Sequence, residues 1–140
     1  MSQTGVQLFD KNIQLLEKVL DLRSERQMYI SSNIANSQTP GYSPVRMKFQ
    51  ENLNEALGEL GITMETTDPN HFPASDKDAL SQVEPEIIEE PDTSGIGDKN
   101  GVNIDQEMMY MAENRIRYEA EVQMLKNKMG ILKYVVQGGR

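Results

Sequence analysis

The sequence predicts a mainly α protein. Two long terminal helices form a coiled-coil-like hairpin, and a small irregular, β-containing and partly mobile region lies between them. Three observations predict it. Apolar residues repeat in alternating steps of four and three from Ile104 to Val136. A similar repeat runs through the N-terminal stretch from Phe9 to Ile34. All six prolines, at 40, 44, 69, 73, 85 and 91, fall between the two.

The N-terminal helix is expected to begin near Thr4, because Thr4-x-x-Gln7 has the capping-box pattern. Its seam reads Phe9, Ile13, Leu16, Leu20, Arg23, Gln27, Ile30 and Ile34, apolar except at Arg23 and Gln27. Leu8, Leu15, Val19, Leu22 and Tyr29 run beside it, so the apolar face is wider than a two-helix seam needs. Asn36 and then Pro40 end the helix, since the residue before a proline disfavours the α region. At 1.5 Å rise per residue this is a rod of roughly 45 Å.

Between the helices the regular pattern fails. Val45, Met47 and Phe49 alternate with Arg46, Lys48 and Gln50, which predicts a short strand. Phe49, Leu53, Leu57 and Leu60 then take helical spacing, closed by Gly61. A further alternation at 62–66 reads as another strand. Residues 67–100 are rich in Pro, Asp, Glu, Ser and Gly, with Val83, Ile87 and Ile88 as their main apolar members. A loose loop is expected there, too poor in apolar groups to offset the entropy of ordering. The organisation is therefore 1–36, a rod helix; 37–66, a turn with a short strand and helix; 67–100, an acidic loop; and 101–140, a second rod helix. The first and last pack as one discontinuous domain.

The C-terminal helix opens at Asn103 as N-cap, with Asp105 and Glu107 in its first turn, where the helix dipole favours negative charge. Its seam is Ile104, Met108, Met111, Arg115, Tyr118, Val122, Leu125, Met129, Leu132 and Val136, with Arg115 the one polar member. Gly138-Gly139 ends it.

Composition narrows the function. Net charge is −8, and residues 37–100 hold thirteen acids against four bases while both ends are near neutral. The ends can associate without long-range repulsion, and nothing resembles a basic nucleic-acid footprint. The absence of cysteine excludes disulfides and thiolate chemistry. No N-terminal apolar core of a Sec-type signal is seen, and no apolar run approaches ~18 residues. The single histidine, His71, stands among Asp68 and Asp76 at spacings that match no established metal pattern. The acids Glu84, Glu86, Glu89, Glu90 and Asp92 lack the glycine-punctuated spacing of a calcium loop. No phosphate loop or nucleophile–histidine arrangement is present. No enzyme, cofactor, metal or small-molecule substrate is expected.

The sharpest local motif is Asn33-Ile34-Ala35-Asn36-Ser37-Gln38-Thr39-Pro40-Gly41-Tyr42. A helix end followed by a type II turn, with Pro at i+1 and Gly at i+2, accounts for Pro40 and Gly41. It leaves the asparagine pair unexplained. Buried amides at 33 and 36 would bond backbone groups freed at the helix terminus and fix the angle at which the chain leaves the rod.

This segment, with Ser31 and Ser32 before it, resembles the N-terminal signature of the bacterial flagellar rod, hook and hook-associated axial proteins, centred on Ala-Asn-x-x-Thr-Pro-Gly-Tyr. The stretch from Asn103 through Glu113-Asn114-Arg115 and Tyr118-Glu119-Ala120 to Lys128 is similar to that of the short, proximal rod members. The likeness covers about residues 1–60 and 100–140. Departures are Ser43-Pro44, where a basic residue commonly follows the tyrosine, and Met129, where an aromatic is frequent. The resemblance implies export through the flagellar type III apparatus without a cleaved signal. It implies polymerisation through the terminal helices into a hollow axial rod of the basal body, crossing the periplasm and needed for motility. The implied partners are further copies of the chain, the next rod protein FlgC, and the adaptor FliE at the export-gate base. The alternative is a soluble helical-hairpin adaptor or export chaperone with an acidic loop. Shortening residues 75–96 is expected to be tolerated better than a charge at Leu125 or Leu132 or than Gly41→Val, because that loop has little to bury.

Overall fold

The computed structural model describes residues 3–59, 83–91 and 100–138, with side chains over 12–56, 83–91 and 100–138. In chain order these form α1 (Gln3–Ala35), β1 (Val45–Lys48), α2 (Gln50–Glu59), β2 (Glu86–Glu89) and α3 (Ile104–Val136). The side chains of Phe9 and Leu57, and all of Leu60, the alternation at 62–66 and His71, lie outside what is described.

The two long helices pack against each other. Their polar contacts pair Asn33 with Glu107, Gln27 with Asn114 and Arg23 with Glu121, so residue numbers rise on one helix as they fall on the other. The hairpin is therefore antiparallel. Asn103 caps α3 as expected: its Oδ1 accepts from the Gln106 N–H at 3.2 Å. Gly138, at φ +74°, follows the helix's last residue, Val136, and the Gln137 N–H donates back to the Lys133 carbonyl.

The core sits where β1 and α2 fold back onto α1. Leu22, Met47, Phe49, Leu53 and Val83 are buried together, with Leu15 and Tyr29 against them. Phe49, Leu53 and Ala56 follow i, i+4, i+7, so one face of α2 meets the core. Phe49 is 1% exposed. Burying such a ring stabilises by about 1.5–3 kcal/mol.

One expectation is corrected here. Part of the segment read as a loose loop is ordered: Glu86–Glu89 pair antiparallel with Val45–Lys48, in the register Val45 to Glu89 and Met47 to Ile87. A two-stranded ribbon is marginal alone. This one is held because β1 packs on α1 and because Val83, 3% exposed, plugs the core beside Phe49. Few apolar residues were enough because each lands on a surface the helices already supply. Val83 and this strand lie inside the stretch 75–96 that the sequence reads as having little to bury.

Candidate functional site

The asparagine at the end of α1 is the centre of the site. Asn33 is fully buried and its amide makes four hydrogen bonds. Its Nδ2 donates to the Val45 carbonyl at 2.9 Å and to Glu107 Oε2 at 3.2 Å. Its Oδ1 accepts from the Val45 N–H at 2.9 Å and the Tyr42 hydroxyl at 3.1 Å. The side chain thus stands in for a neighbouring strand against Val45, as only an amide can, offering a donor and an acceptor side by side.

The turn between them is built as the motif predicts. The Tyr42 N–H donates to the Thr39 carbonyl at 3.2 Å, and Gly41 at i+2 has φ +72°. Asn36 works locally, with Nδ2 donating to the Ser32 carbonyl at 2.8 Å and Oδ1 accepting from the Thr39 hydroxyl at 3.3 Å. The freed carbonyls of the helix end find a partner from far along the chain. Asn100 Nδ2 lies within 2.8–3.0 Å of the Asn36, Ser37 and Thr39 carbonyls. Ala35, Thr39, Pro40 and Gly41 are exposed.

Charge closes the cluster. Glu107, in the first turn of α3, is fully buried and pairs with Arg46 of β1. Arg46 Nε donates to Glu90 Oε2 at 3.0 Å, just beyond β2, and its guanidinium lies 4.7 Å from the centroid of the Tyr110 ring. Burial alone would lower the Arg46 pKa, but hydrogen bonds and charge from Glu90 and Glu107 outweigh it and raise the value. A cavity of about 160 Å³ beside it is lined by Arg26, Tyr29 and Tyr110 among others. Burial pushes the Arg26 pKa down there, partly opposed by Glu113. Asn33, Arg46 and Glu107 join the ends of both long helices to the β ribbon. No group of three metal-ligating side chains exists among the described residues.

The seam residues divide. Ile13, Leu16 and Leu20 are half-buried on α1, and Met111, Val122, Leu125 and Leu132 on α3. Ile104, Met108, Tyr118 and Met129 stay 39–59% exposed. The residues of α3 most deeply set against α1 are polar, Glu107 and Asn114, with Glu121 following at the same seven-residue interval. Asn114 and Glu121 meet the two polar members of the α1 row. Arg23, 5% exposed, pairs with Glu121 at 2.6 Å, and Asn114 Nδ2 donates to the Arg23 carbonyl and to Gln27 Oε1. The hairpin interface is thus rotated toward this polar row, leaving one flank of the apolar stripe bare. The polar row was missed because the apolar period was stronger. Glu, Asn and Glu at 107, 114 and 121, facing Asn33, Gln27 and Arg23, were the available signal.

No protein-family model matches the chain. It is 35% identical over 133 residues to flagellar basal body rod protein FlgB of Bacillus subtilis, an alignment covering 95% of this chain and 98% of the relative. FlgB of Aeromonas hydrophila is 35% identical over 127 residues, covering 89% of this chain and 92% of that one. FlgB of Salmonella typhimurium is 28% identical over 136 residues, at 93% and 96%.

Proposed function

The chain belongs to the FlgB family of flagellar basal body rod proteins, and from that premise we propose that it is a structural subunit of the proximal rod, without catalytic activity. It polymerises through its terminal helices into the hollow drive shaft. Its neighbours are further copies, the next rod protein FlgC, and the adaptor FliE at the export-gate base. It reaches the periplasmic rod through the flagellar export route with no cleaved signal.

The observation that carries this reading is the bare flank of α3. A hairpin adaptor complete in itself would cover its own apolar stripe. Here Met108, Met129 and Val136 are 59%, 49% and 84% exposed along one helix edge. Single surface hydrophobes are ordinary, but α3 exposes eleven large ones between Ile104 and Val136, more than a self-contained hairpin needs. The saturated cluster around Asn33 suits a subunit whose chain must leave the helical layer at one fixed angle in every copy.

The test is complementation. A strain lacking its own FlgB receives this chain, and motility and rods in isolated basal bodies are scored. Restored rods containing the chain are expected. Motility unrestored while the chain is made and helical would overturn the reading.

A further inference from the structure

The β ribbon has two edges, and the pairing of its strands fixes which backbone groups each edge shows. The Glu90 N–H donates to the Pro44 carbonyl at 2.9 Å, one step beyond the register that sets Val45 across from Glu89. Bonded pairs alternate along an antiparallel ladder, so Arg46 with Ile88 and Lys48 with Glu86 are the next bonded pairs. Val45 and Met47 on β1, and Ile87 and Glu89 on β2, therefore turn their N–H and C=O groups outward.

The two edges are treated differently. At β1, Asn33 bonds both outward groups of Val45: its Oδ1 accepts from the N–H and its Nδ2 donates to the carbonyl. At β2, no hydrogen bond to a described residue uses the outward groups of Ile87 or Glu89. The Ile87 side chain between them is 44% exposed.

Charge and proline decide what such an edge admits. Glu84, Glu86 and Glu89 are exposed, and none is in an ion pair among the described residues. Pro85 and Pro91 continue the outward alternation at either end and have no N–H to give. Acids and prolines keep an edge from pairing with its own kind, since two copies of β2 would set acid beside acid. A strand of opposite charge meets no such barrier, and β2 already accepts one on its inner side. There Lys48 stands across from Glu86 and Met47 across from Ile87, while Arg46 pairs with Glu90.

We propose that the open edge of β2 receives a short extended segment of a partner protein, laid antiparallel, with lysine or arginine set against Glu86 and Glu89 and an apolar residue against Ile87. Backbone bonds to Ile87 and Glu89 supply the attraction, and the charge pairs select the partner. This contact goes beyond the rod-subunit reading and does not depend on it.

The test titrates the full chain with a capped Lys-Lys-Val-Ile-Lys peptide and follows amide exchange by NMR. Laid antiparallel from Glu90 to Glu86, its isoleucine meets Ile87 and its lysines meet the three acids. Exchange of the Ile87 and Glu89 amides, open in the free chain, is expected to slow about tenfold at a peptide concentration about ten times its Kd. A Glu-Glu-Val-Ile-Glu peptide should have no effect, and Glu86→Lys with Glu89→Lys should reverse the preference. Ile87→Pro removes an outward N–H only, so it should keep the Arg46 and Ile88 amides protected and lose the peptide. If the proline breaks the ladder, the charge-reversed variant decides alone. Ile87 and Glu89 amides already protected in the free chain would mean that another part of the chain, or a second copy, holds the edge, and overturn the proposal. So would equal protection by both peptides, protection by neither, or unchanged binding in Ile87→Pro with its ladder intact. The complementation test stands apart: a chain that restores rods but ignores the lysine peptide keeps its function and loses this docking edge.

Discussion

At the scale of single residues, burial separates side chains that look alike in the motif. Asn33 and Asn36 sit one turn apart, yet Asn33 is fully buried and Asn36 bonds within its own helix end. Replacing Asn33 with alanine strands the Val45 N–H and carbonyl and removes a donor from Glu107. Each stranded group costs about 1–3 kcal/mol, so Asn33→Ala should destabilise by more than about 3 kcal/mol, and Asn36→Ala by only about 1 kcal/mol. Urea midpoints of the two variants check this; equal shifts would refute the central place given to Asn33. Gly41 is a different case. No atom lies within 4 Å of a Cβ built there, so a substitution meets only the backbone penalty of φ +72°. Gly41→Val is expected to cost at least about 1–2 kcal/mol and Gly41→Asn less, because asparagine visits that region and a β-branched residue does not. A valine variant as stable as wild type would show that the turn relaxes to another form. The turn was legible from Pro40 and Gly41 because its causes are local. The partners of Asn33 were not. Glu107 lies 74 residues away and already had a sufficient local reason, the helix dipole, for standing in the first turn of α3. Asn100, 63 residues from Ser37, gave no periodic signal at all.

At the scale of elements, both long helices were legible because a seam repeated over many turns leaves little else for the chain to do. The rotation of α3 was not. Apolar period locates a stripe, but the face that meets α1 is decided by whether buried polar groups can be paired, and Arg23, Gln27, Asn114 and Glu121 pair with one another. The strand β2 was obscured for the opposite reason. Its own residues are poor in apolar surface, and its stability comes from Val83 and Glu90 finding places prepared by α2 and β1. Deleting residues 83–91 should therefore act on β1 as well. The loss of Val83 and of cover over Met47 and Phe49 is expected to cost on the order of 2–5 kcal/mol, the range for emptying a core position. Hydrogen exchange reads it directly: amides of Val45–Lys48 should lose protection in the deletion. Unchanged protection would mean that α1 alone holds the strand.

At the scale of the whole molecule, the fold and the polymer make separate demands on one helix, and neighbouring seam positions tell them apart. Leu125 is half-buried against α1, whereas Met129, one turn on, is 49% exposed. A glutamate at 125 places a charge inside the hairpin. It should lower stability by several kcal/mol, as a buried unpaired charge does, and abolish rod assembly as a consequence. A glutamate at 129 stays in water in the single chain, where surface substitutions change stability by no more than about 0.5 kcal/mol. In the rod, however, it would lie against a neighbour's apolar surface. Met129→Glu should therefore melt like wild type by circular dichroism and still fail to restore motility. Leu125→Glu should fail both tests. If Met129→Glu swims normally, the bare flank of α3 faces solvent in the rod and the neighbour binds elsewhere. If it melts early, the flank is part of the fold itself, and its exposure is no argument for assembly.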